Sequence, residues 1–269
     1  MLLCAMNIYW LEQSAADVPE ADNWLSAGER LRLSGMRFPK RRADWRLGRW
    51  TAKNAVAVYQ GLSTQNHKLA EIEIQPAPSG APEVFFDNTR ADLTISLSHR
   101  NGSAACVIAS KEVLLGCDLE IVEPHSDPFI ADYFTCEEQA LVACTENKDL
   151  MSALLWSAKE SALKALQLGL RVDPRSVSVE LSNPQPATGV PSVTATGVAT
   201  RPQLSVWKAL QVHHESGRVF NGWWQKCGKL LRTVVSDPAS PAPILLFAAP
   251  RWERTAPRPD QESAVVSST

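Results

Sequence analysis

The sequence predicts an α+β protein of two pseudo-symmetric halves, each a helix packed on a small, mostly antiparallel sheet. Two observations support this prediction. First, stretches with apolar residues at helical spacing alternate with short strands of period two along most of the 269 residues. Second, the pattern W-[ST]-A-K occurs at 50–53 and again at 156–159, 106 residues later, within helical stretches. A four-residue echo can arise by chance, but if it marks a duplication, we expect a cleft between the halves.

The composition is that of an ordinary globular protein. It is 45% apolar and 21% charged, and its 27 Lys and Arg residues nearly balance 29 Asp and Glu residues. These values exclude a wholly disordered, fibrous or membrane-embedded chain. The longest apolar run, 244–249, is far shorter than the ~20 residues of a membrane helix. The six cysteines form no C-x-x-C pair, which argues against a zinc site or disulfide framework and favours a reduced, cytoplasmic setting.

The first half opens with a strand at 7–11 and continues with two basic helices, predicted over 24–36 and 41–60. Nine Lys or Arg residues lie in the 24 residues from 30 to 53, and Asp44 is the only acidic residue among them. In a chain of net charge −2, such a concentration indicates a polarised surface that faces an anion. A solvated helix face is the alternative interpretation.

A group of short strands follows these helices. The predicted strands are 71–74, 83–86, 93–99, 103–109 and 113–122. Asn101-Gly102 supplies residues that tolerate the positive φ of a tight hairpin turn. We therefore expect the last three strands to form an antiparallel meander.

The second half contains two further helices. Thr135-x-x-Glu138 has the spacing of a capping box and predicts a helix to Cys144, while Asp149 is expected to cap a helix that runs to Leu168 before Gly169. The remaining predicted strands are 175–181, 204–212, 219–224 and 244–249, with a surface loop at 182–203. We divide the chain into an N-terminal half, 1–111, a C-terminal half, 112–250, and a disordered tail, 251–269.

Two carboxylates stand out in the strand 113–122. Strand periodicity puts Asp118 and Glu120 on one face, where they repel each other unless a cation lies between them. A hard divalent ion such as Mg²⁺ suits oxygen ligands of this kind. A solvated edge strand with two acidic residues is the alternative.

The long helix of the second half carries a further charged pair. Glu160 and Lys164 are four residues apart and share a face with Trp156. Such a pair commonly stabilises a helix surface, but this helix is largely apolar, so its few charges are expected to serve a site. The hairpin end holds Ser98-His99, where a surface or capping histidine is the alternative. The chain has no G-x-S-x-G, H-E-x-x-H or G-x-G-x-x-G motif.

Taken together, three motifs are specific. S-H-x-x-G at 98–102, G-x-D-x-E at 116–120 and W-x-x-K-E-x-x-x-K at 156–164, in this order, resemble the 4′-phosphopantetheinyl transferases. The resemblance covers about residues 20–181. The length, the two-half layout and Glu29-x-x-Arg32 before Phe38 are similar to the larger, single-chain, surfactin-synthetase-activating type rather than to the short trimeric holo-acyl-carrier-protein synthases.

The resemblance implies an activity. The enzyme would transfer the 4′-phosphopantetheine arm of coenzyme A to a serine of an apo acyl or peptidyl carrier protein and release adenosine 3′,5′-bisphosphate. Asp118, Glu120 and Glu160 would hold Mg²⁺ against the pyrophosphate. Glu160 would help deprotonate the serine, and Lys164 would stabilise or protonate the leaving phosphate. The resemblance further implies a monomer with no nucleic-acid or membrane partner.

The resemblance also implies a set of coenzyme A ligands. These are Arg32, Arg49, Gly80, Pro82, Ser98, His99 and Lys164, with Arg30 as a possible helper to the arginines. His99 would lie near the 3′-phosphate, and Gly80 and Pro82 would shape the loop beside the adenine. The family usually has a lysine at the position of Ala81, so the 3′-phosphate would depend on His99 and the arginines.

Two other functions stay open at this point. A non-catalytic module could bind an anionic partner through the basic helices, with steep salt dependence and no need of a divalent ion. A different Mg²⁺-dependent enzyme acting on phosphate esters could use the same carboxylates. Only the transferase interpretation uses all three motifs at once.

Overall fold

The computed structural model describes residues 6–181 and 206–247. The helices in these ranges are α1 (Ala27–Ser34), α2 (Pro39–Tyr59), α3 (Asn66–Leu69), α4 (Asp127–Tyr133), α5 (Cys136–Cys144) and α6 (Lys148–Ala165). The strands are β1 (Tyr9–Ser14), β2 (Ile72–Pro76), β3 (Pro82–Phe86), β4 (Thr89–Arg90), β5 (Leu93–Arg100), β6 (Ser103–Ser110), β7 (Leu114–Ile121), β8 (Val177–Leu181), β9 (Lys208–His214), β10 (Val219–Cys227), β11 (Leu230–Asp237) and β12 (Ile244–Leu245). Single-turn 3₁₀ helices lie at Ala15–Asp17, Gly169–Arg171 and Pro174–Ser176.

The described strands form three sheets. The first has the order β12-β1-β6-β5, the second has the order β7-β11-β10-β9-β8, and a small third sheet has the order β2-β3-β4. Neighbouring strands are antiparallel except for the parallel pair β1 and β12. Helix α2 packs on the first sheet and α6 packs on the second. The predicted α+β class is therefore confirmed.

The helices of the first half begin where their capping residues stand. Helix α1 starts after Ser26, whose hydroxyl accepts from the Glu29 N–H, so it is shorter than the predicted 24–36. Trp24 is instead buried in the core, in edge-to-face contact with Trp50 at a centroid distance of 5.1 Å. Helix α2 begins at Pro39, whose fixed φ suits the first helical turn.

The predicted meander is wrong in its third strand. The hairpin of β5 and β6 forms as expected, with positive φ at Asn101 and Gly102. Strand β7 cannot pair with β6, because the other edge of β6 is taken by β1, and it pairs with β11 instead. It reaches β5 only through side chains: the hydroxyl oxygens of Ser96 and Ser98 accept from backbone N–H groups of β7, each at 3.1 Å. These serines join the two larger sheets.

The second half departs from prediction in four places. Asn147, not Asp149, caps α6, since its side chain accepts from the Leu150 N–H. The helix ends at Ala165 rather than at Leu168, and Gln167 takes a positive φ of 57° directly after it. Helix α4 and strand β11 were not predicted. The capping box at Thr135 and the helix that follows it are confirmed.

Some predicted features lie outside the described residues. These are the loop 182–203 and the tail 251–269, and the last predicted strand, 244–249, is described only to residue 247 and is a strand over Ile244–Leu245. No helix of the described ranges is long and apolar enough to cross a membrane. The cysteines of these ranges are all free thiols, buried at Cys106 and Cys117.

The two lysines of the repeated W-[ST]-A-K pattern, Lys53 and Lys159, are both fully buried. Each forms an ion pair with a glutamate, Glu29 for Lys53 and Glu138 for Lys159. Each glutamate closes a capping box, and its second carboxylate oxygen accepts a backbone N–H, from Ile74 and Val179 respectively. The Lys53 ammonium also donates to the backbone carbonyls of Trp24 and Leu69. The Lys159 ammonium donates to the backbone carbonyls of Pro174 and Val177. The same kind of buried ion pair thus fixes both long helices.

Candidate active site

A cleft of about 500 Å³ lies between the β2–β3 loop, strand β5 and the C-terminal end of α6. Its lining combines apolar and basic side chains and includes the acidic residue Glu83. The aliphatic residues of β5 and β7 and of the segment before β7 are Leu93, Ile95, Leu97, Val113, Leu114 and Leu115, and the basic residues are Arg49, Arg90, His99, Lys111 and Lys164. Such a lining suits a ligand that has both anionic groups and an apolar or aromatic part.

The β2–β3 loop forms part of the cleft wall. Gly80 has a φ of 92°, a conformation in which a side chain would be strained, and Ala81 and Pro82 follow it along the wall. The hydroxyl of Ser79 donates to the Gln167 side-chain oxygen at 3.2 Å. The loop of the first half therefore touches the end of α6 in the second half.

Asp118 is held from three sides beside this cleft. It points from β7 toward α6 and is only 2% exposed. Its Oδ1 atom accepts from the Lys164 Nζ atom at 2.7 Å and from the Ser98 hydroxyl at 2.8 Å. Its Oδ2 atom accepts from the Ser157 hydroxyl at 2.9 Å. This carboxylate is therefore fixed in one orientation.

Glu160 and Lys164 meet Asp118 from α6. The Lys164 Nζ atom lies 3.6 Å from Glu160 Oε2, so one ammonium faces two carboxylates. Burial and the charge of Asp118 raise the pKa of Glu160 to about 7, against the opposing effect of Lys164. Burial lowers the pKa of Lys164, but the charges of Asp118 and Glu160 outweigh it, so the net pKa is raised. The sequence spacing therefore predicted a real cluster of charges.

Glu120 is the third carboxylate of this region, and Asp118, Glu120 and Glu160 are called the acidic group below. Glu120 faces a different cation. The Arg100 Nε atom lies 3.2 Å from Glu120 Oε2, and its Nη2 atom donates to Glu123 at 2.9 Å. Burial and the charge of Asp118 raise the pKa of Glu120, and Arg100 lowers it. Over 6–181 and 206–247, no three His, Cys, Asp or Glu side chains have the arrangement of a metal site. The carboxylates of this group point to side-chain cations.

The predicted coenzyme A ligands are only partly brought together. Arg49, Gly80, Pro82, His99 and Lys164 line the cleft. Ser98 does not line it, since its hydroxyl is engaged by Asp118, Lys164 and the Leu119 N–H. Arg32 is exposed on α1 and is absent from the cleft lining, and Arg30 donates to the Leu25 carbonyl at 2.5 Å.

Arg49 is a largely buried cation of the cleft. Its guanidinium lies over the Trp45 ring at 5.0 Å and 3.8 Å from Glu29. Burial lowers its pKa to about 10, although Glu29 raises it. The Arg49 Nε atom is buried and has no hydrogen-bond partner among the described residues. Because Arg49 also lines the cleft, its guanidinium is placed to contact an anionic ligand there.

Sequence analysis missed three basic residues of this region. Arg90 and Lys111 line the cleft, and Arg100 contacts the acidic group. Lys111 pairs with Asp92 at 2.8 Å, and Arg90 pairs with Glu83 at 2.9 Å. Arg90 and Lys111 belong to no motif, and Arg100 occupies a variable position of S-H-x-x-G, so none of the three was singled out by a motif. A search for basic residues next to the predicted strand ends would have found them.

Comparison with known proteins agrees with these motifs. Residues 114–219 match the family described as ACPS, 4′-phosphopantetheinyl transferase superfamily. Holo-[acyl-carrier-protein] synthases of Streptococcus agalactiae serotypes III, V and Ia are each 31% identical over 93 residues, 34% of this chain and 78% of each relative. A crystal structure of the Helicobacter pylori holo-[acyl-carrier-protein] synthase in complex with coenzyme A matches at 19% identity and a TM-score of 0.30, over 38% of this chain and 99% of that chain. The chain therefore belongs to the 4′-phosphopantetheinyl transferase superfamily and is a transferase of that family.

Proposed function

We propose that this protein transfers the 4′-phosphopantetheine arm of coenzyme A to a serine of an apo acyl or peptidyl carrier protein, with Mg²⁺, and releases adenosine 3′,5′-bisphosphate. One observation carries the proposal: Asp118, Glu160 and Lys164 meet directly beside a basic cleft of about 500 Å³. A phosphoryl transfer needs positive charge around the phosphates and a base near the nucleophile, and this arrangement supplies both.

In this proposal the cleft holds coenzyme A. The apolar residues of β5 and the Gly80–Pro82 loop take the adenosine, and the basic residues of the lining take the phosphates. The Arg49 guanidinium donates to a phosphate oxygen, and His99 contacts the 3′-phosphate. Arg90 and Lys111 line the same cleft and supply the positive charge that a lysine at position 81 would carry. The missing lysine is therefore compatible with coenzyme A binding.

The donor set of the acidic group fits Mg²⁺ in its chemistry. Asp118, Glu120 and Glu160 offer only carboxylate oxygens, and Asp118 lies close enough to both glutamates for its charge to raise the pKa of each. These three side chains would hold the ion, which would neutralise charge on the pyrophosphate when bound. Ser98 and Ser157 keep Asp118 in place for this task.

The chain's own side chains move the proton and stabilise the leaving group. Glu160 accepts the proton from the carrier serine as its oxygen attacks the phosphorus next to the pantetheine. The bond from that phosphorus to the oxygen of the adenosine 5′-phosphate breaks. Lys164, whose ammonium is already beside Asp118 and Glu160, stabilises the charge left on that oxygen.

The carrier protein is proposed to dock beside the cleft on the start of α2. A hollow of about 530 Å³ there is lined by Phe38, Lys40, Arg41, Asp44, Trp45 and His99. His99 also lines the cleft, so the two depressions share a wall. Phe38 is 70% exposed and lies next to two cations, which suits a carrier helix with acidic and apolar residues. Arg42 is otherwise engaged, because it donates to the Leu33 carbonyl at 2.5 Å.

We also infer that the protein is of the larger, single-chain type and works as a cytoplasmic monomer. The matched ion pairs Lys53–Glu29 and Lys159–Glu138 support two pseudo-symmetric halves, 1–111 and 112–250, derived from one unit. Both halves contribute walls to one cleft. We therefore expect neither half to be active alone.

The activity is tested by incubating the protein with coenzyme A, Mg²⁺ and an apo carrier protein, then weighing the intact carrier. We expect a mass gain of one 4′-phosphopantetheinyl group, lost on addition of a chelator or in Asp118→Asn. Glu146→Gln, an exposed substitution between α5 and α6 and outside the three motifs, is the matched control and should be active. A non-catalytic anion-binding module predicts no mass gain with any carrier and binding of coenzyme A that needs no divalent ion.

A further inference from the structure

Arg100 connects the β5–β6 hairpin of the first half to the end of β7 in the second. Its Nε atom lies 3.2 Å from Glu120 Oε2, and its Nη2 atom lies 2.9 Å from Glu123 Oε1. Glu120 is mostly buried, with 13% of its side chain exposed, whereas Glu123 is 54% exposed. One guanidinium thus bridges a carboxylate of the acidic group and a carboxylate in solvent.

Two side-chain cations face the three carboxylates of the acidic group in this structure. Lys164 faces Asp118 and Glu160, and Arg100 faces Glu120. Two monovalent cations carry the same charge as one divalent ion. A divalent ion that binds these carboxylates must therefore compete with the side-chain cations that already pair with them.

The two cations differ in how firmly they are held. Lys164 also donates to the Cys117 carbonyl at 3.1 Å and to the Ser98 hydroxyl at 3.3 Å, so several groups fix it in the site. Arg100 is 44% exposed, and among the described residues its guanidinium pairs with two carboxylates, one of which lies outside the acidic group. It can leave Glu120 and keep its ion pair with Glu123. Arg100 is therefore the cation that can move at low cost.

We propose that Arg100 is a positioning residue that holds Glu120 in the metal-free protein and is exchanged for the divalent ion when that ion binds. This rests on the metal site of the proposed function. Glu120 passes from the guanidinium to the ion, and Arg100 turns to Glu123 with its charge still paired. The exchange keeps a buried carboxylate neutralised in both states.

The first test measures Mn²⁺ binding to the full chain without coenzyme A or carrier, by the electron paramagnetic resonance signal of free Mn²⁺. We expect Arg100→Gln to bind Mn²⁺ roughly three- to tenfold more tightly than the wild type, because a close competing charge is removed. Arg100→Lys, which keeps the charge, should restore most of the wild-type affinity. Circular dichroism verifies that both variants are folded.

The second test follows the side chain itself. In a spectrum of ¹⁵N-labelled arginine Nε–H groups, the Arg100 signal is assigned by its loss in Arg100→Lys and should shift on addition of Mg²⁺. The signal of Arg232, fixed by two contacts to Glu12 at 2.5 and 2.8 Å, should stay in place.

Three results would overturn the exchange: equal Mn²⁺ affinity in Arg100→Gln and the wild type, an Arg100 signal unmoved at saturating Mg²⁺, or no Mn²⁺ binding by either protein. A failed transferase looks different, because Mn²⁺ binding and the Arg100 shift would persist while no carrier gained mass. The two proposals can therefore fail separately.

Discussion

The Lys164 ammonium lies 2.7 Å from Asp118 Oδ1 and ties the C-terminal end of α6 to the middle of β7. The same ammonium is 3.6 Å from Glu160, so its charge keeps two close carboxylates together. The two contacting residues, Asp118 and Lys164, are 46 positions apart in the chain. The charge balance of the acidic group therefore depends on this ammonium.

Lys164→Met should abolish most of the activity. Without the ammonium, the leaving phosphate loses its stabilising charge and Asp118 is left buried without its closest cation. We expect kcat to fall by roughly 10²–10⁴, the usual range for a positioned proton-transfer or charge-stabilising group. Rates of carrier modification measure this. Lys148→Met, at the exposed start of the same helix, is the control, and a Lys164→Met enzyme as fast as that control would refute the role.

Divalent-ion binding should strengthen as the pH rises through about 7. The pKa of Glu160 in the metal-free protein is raised to about 7, so its carboxyl carries a proton below this pH and is an anion above it. A proton and a metal ion compete for the same oxygens, and the proton wins at lower pH. Calorimetric titration of Mg²⁺ at pH 6 and pH 8 measures the difference. Glu160→Gln should remove most of this pH dependence, and an equally steep profile in the variant would contradict the assignment.

The sequence could predict this cluster because each part of it is local. The two-residue period of β7 aligns Asp118 with Glu120, and the helical period of α6 aligns Glu160 with Lys164. Strand pairing is different, since periodicity identifies the faces of a strand but not the partner at its edge. For this reason the third strand of the meander was assigned to the wrong sheet, and the neighbourhood of Arg100 was missed. Strand periodicity likewise does not predict that the Ser98 hydroxyl joins the two larger sheets and contacts Asp118.

The buried lysines should be equally important to stability in the two halves. Lys53→Met leaves Glu29 as a buried, poorly compensated charge, and we expect a loss of about 3–5 kcal/mol in the free energy of unfolding. Lys159→Met should cost a similar amount through Glu138. Urea unfolding measures both.

The double variants Lys53→Met/Glu29→Gln and Lys159→Met/Glu138→Gln control for the unpaired charge. Each should recover part of the lost stability, because the remaining side chain is neutral. If one lysine could be replaced without effect while the other could not, the two ion pairs would not be equivalent.

Gly116, the first residue of G-x-D-x-E, is required by the packing of β7 on α6. A Cβ atom at this position would overlap the Ser161 carbonyl oxygen and lie 2.8 Å from the Ala165 backbone nitrogen. Gly116→Ala should therefore displace the helix and lower stability by about 1–3 kcal/mol or more. Gly48→Ala is the control, since nothing lies within 4 Å of its Cβ position inside α2, and it should stabilise the protein by up to about 1 kcal/mol. Thermal unfolding of both variants tests this, and a Gly116→Ala protein as stable as the wild type would show that the helix and strand can separate.

Arg41 and Arg42 are neighbours on α2 but should behave differently. Arg41 is exposed and lines the hollow proposed to receive the carrier, so Arg41→Glu should raise KM for the carrier several-fold at low salt. It should leave coenzyme A affinity unchanged, because Arg41 does not line the cleft. Arg42 donates to the carbonyls at the end of α1, so Arg42→Glu should lower the melting temperature instead. Steady-state kinetics with varied carrier, coenzyme A titration and thermal unfolding separate these effects. Equal losses of carrier and coenzyme A affinity in Arg41→Glu would place that arginine in the nucleotide site and remove it from the docking surface.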